Sequence, residues 1–316
     1  MAKQYKIAII GAGINGLYLA WKLAEQGHQV VLFEKKPNPF GKICSGLISA
    51  RIKNFVPLDE KVVLNRIEKC FINYPRKRVE LAMAPLHFVV DRDHLNQILW
   101  DSGRRAGVQY LFDHEISQLP DKDFDRIVLC NGGVSKLGER PEMVTQSFYL
   151  GLQFFEEKKD YKNHVETWAH ESGFFWKIPR GSNVEWGVLG ASLGLINKFR
   201  GFCKEKLIVF PEDKIQSAII PQGLRIIGCD KVATCGDAAG LCKPWSGGGV
   251  IWGLTAADML IRNIDNLAQY EKEAREFFTP LVFKGEIARK AASFVGFNTP
   301  FLMPSKVRRD NDFPIL

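Results

Sequence analysis

Two glycine-rich segments that lie far apart in the chain have the residue types and spacing of a phosphate-binding site. The first, Gly11-Ala-Gly-Ile-Asn-Gly16, follows the apolar run of residues 6–10. The second, Cys235-Gly-Asp-Ala-Ala-Gly240, follows a shorter apolar run near residue 230. Such glycines let the backbone turn tightly and approach a phosphate, and the helix that follows presents unpaired N–H groups. The pattern predicts that both ends of the chain bind one dinucleotide.

Each position of the first segment has a physical reason. Gly11 allows the tight turn after the strand, and Gly13 lets the backbone approach a pyrophosphate. Gly16 lets the helix pack closely on the strand. Ile14 and Asn15 open that helix, and we count both among the cofactor-binding residues.

An acidic residue follows at the distance that a nucleotide fold requires. Gly27 ends the helix, residues 28–33 form a second apolar strand, and Glu34 comes directly after it. A carboxylate at this point accepts hydrogen bonds from the hydroxyl groups of the adenosine ribose. We include the adjacent Lys35 in the predicted cofactor site.

The second segment chooses between possible dinucleotides. Its Gly-Asp pair has the form by which one group of flavoproteins holds the ribityl chain of FAD, which favours FAD over NAD. Three consecutive glycines then open a helix over residues 250–263, which predicts a second helix N-terminus that accepts negative charge. A plain turn is the alternative explanation for those three glycines. The predicted FAD-binding residues of this region are Gly236, Asp237, Gly247, Gly248 and Gly249.

Composition narrows the functional class. A chain of 316 residues that is 46% apolar and 25% charged can form about two globular domains. It contains no uncharged apolar stretch of about 18 residues, and its first strand leaves no room for a signal peptide. Seven cysteines without paired spacing predict neither a disulfide framework nor a metal site. We therefore expect a cytoplasmic protein, and its net charge of +8 suits an acidic partner or an anionic lipid surface, with no nucleic acid expected.

The expected fold class is α/β, with a Rossmann-like FAD-binding domain, an interleaved β-rich substrate domain and short C-terminal helices. We assign residues 1–50, 91–140 and 223–265 to the FAD-binding domain. Residues 51–90 and 141–222 form short alternating strands and are assigned to the substrate domain. Residues 266–316 are expected to form a C-terminal helical segment, with helices at 269–278 and 282–295 and a frayed polar tail.

Several segments together resemble the geranylgeranyl reductase family, within the flavoprotein group typified by para-hydroxybenzoate hydroxylase. They are the first glycine segment, Gly41-Lys-Ile-Cys44-Ser-Gly46, Asp91-Arg92-x-x-Leu95, the Gly-Asp region, and Phe174-Phe-Trp176-Lys-Ile-Pro179. The resemblance implies an FAD-dependent enzyme that saturates isolated double bonds of prenyl chains. The chain departs from the family in being shorter, in having Ile178 where Phe is usual, and in having Ser45 where Gly is common.

The same resemblance implies roles for individual residues. Cys44 is expected at the active site, where it tunes the position of flavin or substrate, although a lone cysteine is more often a small buried hydrophobe. Arg92 is expected to bind FAD, with a surface salt bridge as the alternative. Phe174, Trp176 and Pro179 are expected to line the lipid site.

Aromatic side chains are frequent between residues 148 and 186. They either form the wall of a long apolar pocket or belong to an ordinary core, and for most of them the core is the better explanation. They are Phe148, Tyr149, Phe154, Phe155, Trp168, Phe174, Phe175, Trp176 and Trp186.

Two other functions stay open at this point. The Trp-x-Ile-Pro element also resembles tryptophan-type halogenases, so a flavin-dependent monooxygenase or halogenase acting on an aromatic compound is the first alternative. A flavin-binding carrier without turnover is the second. The chain has no second dinucleotide motif, so the expected electron donor is either transiently bound NAD(P)H or a ferredoxin-like protein. The expected substrate is a prenyl lipid, and peripheral contact with a membrane surface is compatible with the basic charge.

Overall fold

The first strands are short apolar runs that pair in parallel, as a dinucleotide-binding fold requires. In the computed structural model, Lys6–Ile10 pairs with Gln29–Phe33 on one side and with Arg126–Leu129 on the other. The structure describes residues 3–133, 137, 147–191 and 194–314. Within these residues, the interior strand at 7–10 is buried along its whole length.

The helices and strands of the described chain follow one another in a mixed order. They are β1 (Lys6–Ile10), α1 (Ile14–Glu25), β2 (Gln29–Phe33), β3 (Leu47–Ser49), β4 (Val63–Tyr74), β5 (Lys77–Val90), α2 (Arg92–Arg105), β6 (Gln109–Leu111), β7 (Arg126–Leu129), β8 (Ser147–Glu156), β9 (His164–His170), β10 (Gly173–Pro179), β11 (Val184–Gly190), α3 (Leu195–Glu205), β12 (Gln216–Gln222), β13 (Gly228–Cys229), β14 (Val232–Thr234), α4 (Val250–Arg262), α5 (Leu267–Asn298) and β15 (Lys306–Asp310).

These elements form two units, each built from three separate stretches of the chain. Unit 1 comprises Met1–Lys42, Arg92–Ser147 and Pro221–Phe283, and unit 2 comprises Ile43–Asp91, Phe148–Ile220 and Lys284–Leu316. The exact domain boundaries expected from the sequence remain a prediction.

Unit 1 contains a six-stranded sheet in the order β13-β14-β7-β1-β2-β6. The pairs from β14 to β6 are parallel, and α1 packs against both α2 and α4. Because α1 begins directly after β1, its N-terminus lies at the carboxyl ends of the parallel strands, where such folds bind ligands. This arrangement is Rossmann-like and confirms the α/β fold class.

Unit 2 contains a nine-stranded mixed sheet in the order β12-β8-β11-β10-β9-β4-β5-β15, with β3 paired to β5. Four short runs predicted between residues 62 and 90 are two long antiparallel strands, β4 and β5, with register shifts where β4 bulges. One face of the strands from β8 to β11 is covered by α3, which the sequence-based assignment missed. The signal was available, since Leu195, Phe199, Phe202 and Cys203 recur at helical spacing and are buried.

The C-terminal part of the chain differs from expectation in two ways. The two expected helices are one helix, α5, which continues through Pro280. The polar tail is not frayed, because Lys306–Asp310 forms β15 and pairs in parallel with β5. Arg51 fixes this strand through hydrogen bonds to Asp310 and Asp312, of which Asp312 is fully buried. A composition that is polar overall hid these specific partners.

Candidate functional site

Two glycines of the first segment are explained by packing within the chain. Gly11 has a φ of +108°, and a Cβ atom there would lie 2.5 Å from the carbonyl oxygen of Cys130. A Cβ atom at Gly16 would lie 1.9 Å from the carbonyl oxygen of Gly11. Both positions therefore require glycine for the turn and for the approach of α1 to the strand end.

Gly13 has no such explanation within the described chain. Its φ of −70° suits any residue, and no atom lies within 4 Å of the place where its Cβ would be. Gly13 is also the N-cap of α1, which has neither a side-chain cap nor an acidic residue in its first turn. The first N–H groups of a helix have no partner within the helix, so this end suits an anionic ligand. Open space and free donors at the same residue fit the pyrophosphate of a dinucleotide.

Glu34 lies against this loop. Its Oε2 accepts a hydrogen bond of 2.7 Å from the N–H of Ala12, and its Oε1 accepts one of 3.0 Å from the N–H of Lys36. Lys35 is exposed. The acidic residue expected for a ribose is therefore beside the glycine loop, as the βαβ geometry requires.

The second glycine segment meets the first within unit 1. Gly236 has a φ of +67°, and its Cβ would lie 2.3 Å from Nδ2 of Asn15. Gly253 of α4 faces the same amide, with 2.5 Å from its Cβ position to Asn15 Nδ2. The Oδ1 atom of Asn15 is buried, and it has no hydrogen-bond partner among the described residues. Asn15 thus packs the start of α1 closely against the Gly-Asp segment and α4.

Asp237 lies at the start of α4. A Cβ at Gly249, the N-cap of α4, would lie 3.2 Å from Asp237 Oδ1. This helix also has no side-chain cap and no acidic residue in its first turn. Lys42 Nζ is 4.0 Å from Asp237 Oδ2, and both side chains are partly exposed. Gly247 adopts a left-handed conformation and Gly248 is exposed.

The start of α2 holds the segment that leads out of unit 1. Arg92 is only 7% exposed, so a surface salt bridge does not explain it. The side chain of Asp93 accepts a hydrogen bond of 2.9 Å from the N–H of Gly41. Asn96 donates one of 2.7 Å to the carbonyl of Pro39. The Asp-Arg motif thus fixes the backbone two residues before the boundary with unit 2.

Cys44 is in unit 2, on an irregular segment that precedes β3, and it is half-buried. The backbone next to it is firmly held. Gly46 has a φ of +69°, and its Cβ would lie 2.4 Å from the carbonyl oxygen of Val90. The N–H of Val90 in turn donates a 2.9 Å hydrogen bond to the Gly46 carbonyl. The glycine of the Lys-x-Cys-x-Gly element is therefore required by its contact with β5.

Strand β10 brings two of the three predicted substrate residues together. Side chains alternate along a strand, so Phe174 and Trp176 lie on one face of the sheet and Pro179 lies on the other. The rings of Phe174 and Trp176 are 6.1 Å apart. Pro179 is buried at the end of β10, where its carbonyl accepts a hydrogen bond from Asn65.

The indole of Trp176 is fixed by two neighbours on β11. A Cβ at Gly187 would lie 2.1 Å from Trp176 Cζ2, so the ring lies directly over that glycine. Its Nε1 donates a hydrogen bond of 2.8 Å to Glu185 Oε1. The glycine supplies the space and the carboxylate supplies the orientation.

Sequence reasoning missed the pair that orients Trp176. Glu185 is fully buried, and Arg180 donates to its Oε2 at 3.0 Å. Burial raises the pKa of Glu185 above its usual value, although Arg180 and Trp176 act in the opposite direction. A charged residue inside an apolar strand such as Val-Glu-Trp-Gly-Val is the signal that could have marked Glu185, because such residues are rarely buried unless paired.

The aromatic side chains divide between two environments. Those on the α3 side form a closed core with Phe199 and Phe202, which confirms the core explanation for them. They are Phe154, Trp168, Phe175 and Trp186. By contrast, Phe148 and Phe155 are 42% and 38% exposed, and Phe174 and Trp176 are partly buried.

Comparison with known proteins connects this geometry to a group of flavoproteins. A family model described as an NAD(P)-binding Rossmann-like domain matches residues 9–55. Digeranylgeranylglycerophospholipid reductase 1 of Methanopyrus kandleri is 23% identical over 83% of this chain and 82% of its own length. The predicted resemblance to geranylgeranyl reductases is therefore confirmed at the level of a distant relative.

Solved structures show the same fold. A geranylgeranyl bacteriochlorophyll reductase-like protein from Thermoplasma acidophilum superposes with a TM-score of 0.78 at 17% identity, covering 92% of this chain and 88% of that one. The myxobacterial FAD-dependent halogenase CndH superposes with a TM-score of 0.69 at 15% identity, covering 89% and 82%. At such identities the likeness confirms the architecture and leaves the reaction open.

Proposed function

We propose that this chain is an FAD-dependent oxidoreductase that saturates isolated carbon–carbon double bonds of prenyl lipid chains. The observation that carries the proposal is the likeness to a digeranylgeranylglycerophospholipid reductase, which extends over about four fifths of both chains. The similar structures include both reductases and halogenases, so the fold alone supports either reaction.

FAD is the cofactor that the glycine loops and the flavoprotein relatives support. Its pyrophosphate would meet the uncapped end of α1 at Gly13, and its ribose would meet Glu34. Asp237 and the uncapped end of α4 at Gly249 would hold the ribityl chain and the flavin ring. Reduced FAD supplies the hydride that an unactivated double bond needs.

The residues proposed for the substrate belong to unit 2. Phe174 and Trp176 share one face of β10 and offer apolar area to a prenyl chain. In this proposal Cys44 acts at the reaction centre, where it positions flavin or substrate. Pro179 contributes by ending β10, since its side chain lies on the opposite face from Trp176.

The proposed electron donor is an external one. The sequence has one nucleotide fingerprint, which the cofactor would occupy. The net charge of +8 would steer an acidic ferredoxin-like protein to the surface, and transient NAD(P)H binding is the alternative.

The comparison between argon and air separates the two candidate reactions. Holoprotein reduced by dithionite under argon is incubated with a geranylgeranyl-bearing lipid, and the product mass is measured. The proposal expects a gain of two hydrogens per saturated bond without oxygen. A monooxygenase or halogenase requires oxygen, and would instead leave the lipid unchanged under argon.

We also propose that the protein contacts an anionic membrane through the second half of α5. Three exposed apolar side chains on this helix, Phe283, Ile287 and Phe294, are spaced by four and seven residues and therefore lie on one side. Lys284 and Lys290 are exposed on the same helix. Apolar side chains flanked by lysines suit a surface of acidic lipids. No helix in the described part of the chain has the length and apolar character needed to cross a bilayer.

Sedimentation with vesicles tests this surface. The protein should sediment with phosphatidylglycerol vesicles more than with phosphatidylcholine vesicles, and added salt should weaken the binding. Replacing both Ile287 and Phe294 by Ser should reduce it, whereas replacing the equally exposed Tyr161 by Ser should not. Equal binding of both variants would contradict this surface.

A further inference from the structure

Two buried charged side chains of unit 2 contact the segments that carry the proposed function, yet no motif marked either of them. Arg180 follows β10 and Glu185 lies within β11, and both are at least nine-tenths buried. They lie 3.0 Å apart, from Arg180 Nη1 to Glu185 Oε2. The β10–β11 turn holds Arg180 in place, since its N–H donates to the Asn183 carbonyl at 2.9 Å.

Arg180 reaches the segment that contains Cys44. Its Nη1 donates a hydrogen bond to the carbonyl oxygen of Ser45, the residue that directly follows Cys44. The next residue, Gly46, is held by Val90 of β5 through a 2.9 Å hydrogen bond. Two successive peptide groups after Cys44 are therefore fixed, one by a side chain and one by a strand.

Glu185 connects that anchor to Trp176. One carboxylate oxygen pairs with Arg180, and the other accepts the indole N–H of Trp176 at 2.8 Å. A single buried carboxylate thus has both oxygens engaged, each by a side chain with its own function. The chain of contacts runs from Ser45 through Arg180 and Glu185 to Trp176, and all of it lies inside unit 2.

We propose that Arg180 and Glu185 are positioning residues that fix the Cys44 segment and the Trp176 ring in one arrangement. The inference rests on the proposed function, because Cys44 and Trp176 matter to the reaction only there. It adds two residues that neither the glycine motifs nor the aromatic segment contains.

A purely stabilising ion pair is the competing explanation. Buried ion pairs often contribute no more stability than apolar residues of the same volume, because the charges lose their hydration. They do impose geometry, since each charge must keep its hydrogen-bond partners. The neighbouring pair of Lys177 and Asp160, 2.7 Å apart and also largely buried, offers a matched control because it does not touch Ser45 or Trp176.

The test measures the rate at which iodoacetamide alkylates Cys44 in the folded full-length protein, read from the mass of the Cys44 peptide. Arg180→Gln should raise the rate about tenfold, which corresponds to about 1.4 kcal/mol in the opening of the segment. Glu185→Gln keeps the size of the side chain and should raise the rate by a smaller factor. The double variant should match Arg180→Gln alone, because the two residues act through one contact.

Lys177→Gln should leave the Cys44 rate unchanged. The proposal is overturned if Arg180→Gln and Glu185→Gln both leave the rate within twofold of the parent, or if Lys177→Gln raises it equally. If Arg180→Gln does not fold, Glu185→Gln decides alone. The measurement needs neither FAD nor substrate, so a chain that reduces no prenyl lipid but shows these rates disproves the proposed function and keeps the positioning role.

Discussion

The glycine loop of unit 1 and the Cys44–Trp176 region of unit 2 are built on different principles. In the loop, backbone shape does the work: Gly11 and Gly16 permit close packing, and Gly13 leaves open space at an uncapped helix end. In unit 2, side chains do it, because Glu185 and Arg180 hold Trp176 and the Ser45 carbonyl. The comparison shows that a backbone-defined site leaves a readable motif, whereas a site fixed by side-chain contacts does not.

The largest expected effect separates Gly13 from the structural glycines. Gly13→Val should abolish FAD binding, since its side chain would fill the space proposed for the pyrophosphate. The unfolding free energy of the apoprotein should stay within about 0.5 kcal/mol, because nothing lies near that Cβ and the φ is ordinary. Flavin absorbance of the purified variant and urea denaturation measure the two quantities. Full flavin content in this variant would place the cofactor elsewhere.

Gly16→Ala should do the opposite. Its Cβ would lie 1.9 Å from the Gly11 carbonyl oxygen, so α1 must shift, at a cost of roughly 1–3 kcal/mol in unfolding free energy. FAD content per folded molecule should fall less than in Gly13→Val. Denaturant midpoints of the two variants, measured side by side, check the contrast. A stable Gly16→Ala protein would mean that close packing does not explain this glycine.

A smaller effect is expected in unit 2 from Gly187→Ala. The new methyl group would overlap the Trp176 indole, which is only partly buried and can move away at a cost of about 1 kcal/mol. The displaced ring should lose its hydrogen bond to Glu185, and the near-ultraviolet circular dichroism should change. The same substitution at Gly201, where no atom lies near the Cβ position, should leave the spectrum unchanged. Identical spectra for both variants would contradict the assigned position of the ring.

The smallest expected effect is a difference in pH dependence between the two ion pairs of unit 2. Burial raises the pKa of Glu185, so the folded state holds its proton to higher pH, and stability falls as pH rises through the folded pKa. Burial alone would raise the pKa of Asp160 as well, but hydrogen bonds from Lys177 and Lys162 lower it overall. Its stabilising contribution is therefore present above the ordinary Asp pKa and is lost as pH falls through the folded pKa.

Urea denaturation over a pH series measures this difference. Relative to the parent, Glu185→Gln should gain stability as pH rises above about 4, because the variant lacks the buried carboxylate. Asp160→Asn should lose stability relative to the parent as pH rises towards about 4. Slopes of the same sign in both variants would show that the two carboxylates do not differ as described.

The sequence allowed most of unit 1 to be predicted and less of unit 2. The spacing of Gly11, Gly16 and Glu34 predicted the loop, α1 and the contact of the carboxylate with the loop, because these features are local. Arg180 and Ser45 are 135 residues apart, and no periodic pattern connects them. The ordered tail escaped prediction for the same reason, since its partner Arg51 lies 259 residues before Asp310. Long-range polar contacts are specific to one fold, so local patterns do not reveal them.

The central claim is that FAD held by this chain transfers its electrons to a prenyl double bond. A single-turnover experiment under argon tests it most directly, with holoprotein reduced by dithionite, freed of excess reductant and mixed with a geranylgeranyl lipid. Flavin absorbance should return to the oxidised form as one double bond is saturated for each FAD oxidised, and the product should gain two hydrogens. Flavin that stays reduced until air is admitted, together with a product that gains oxygen, would contradict the account.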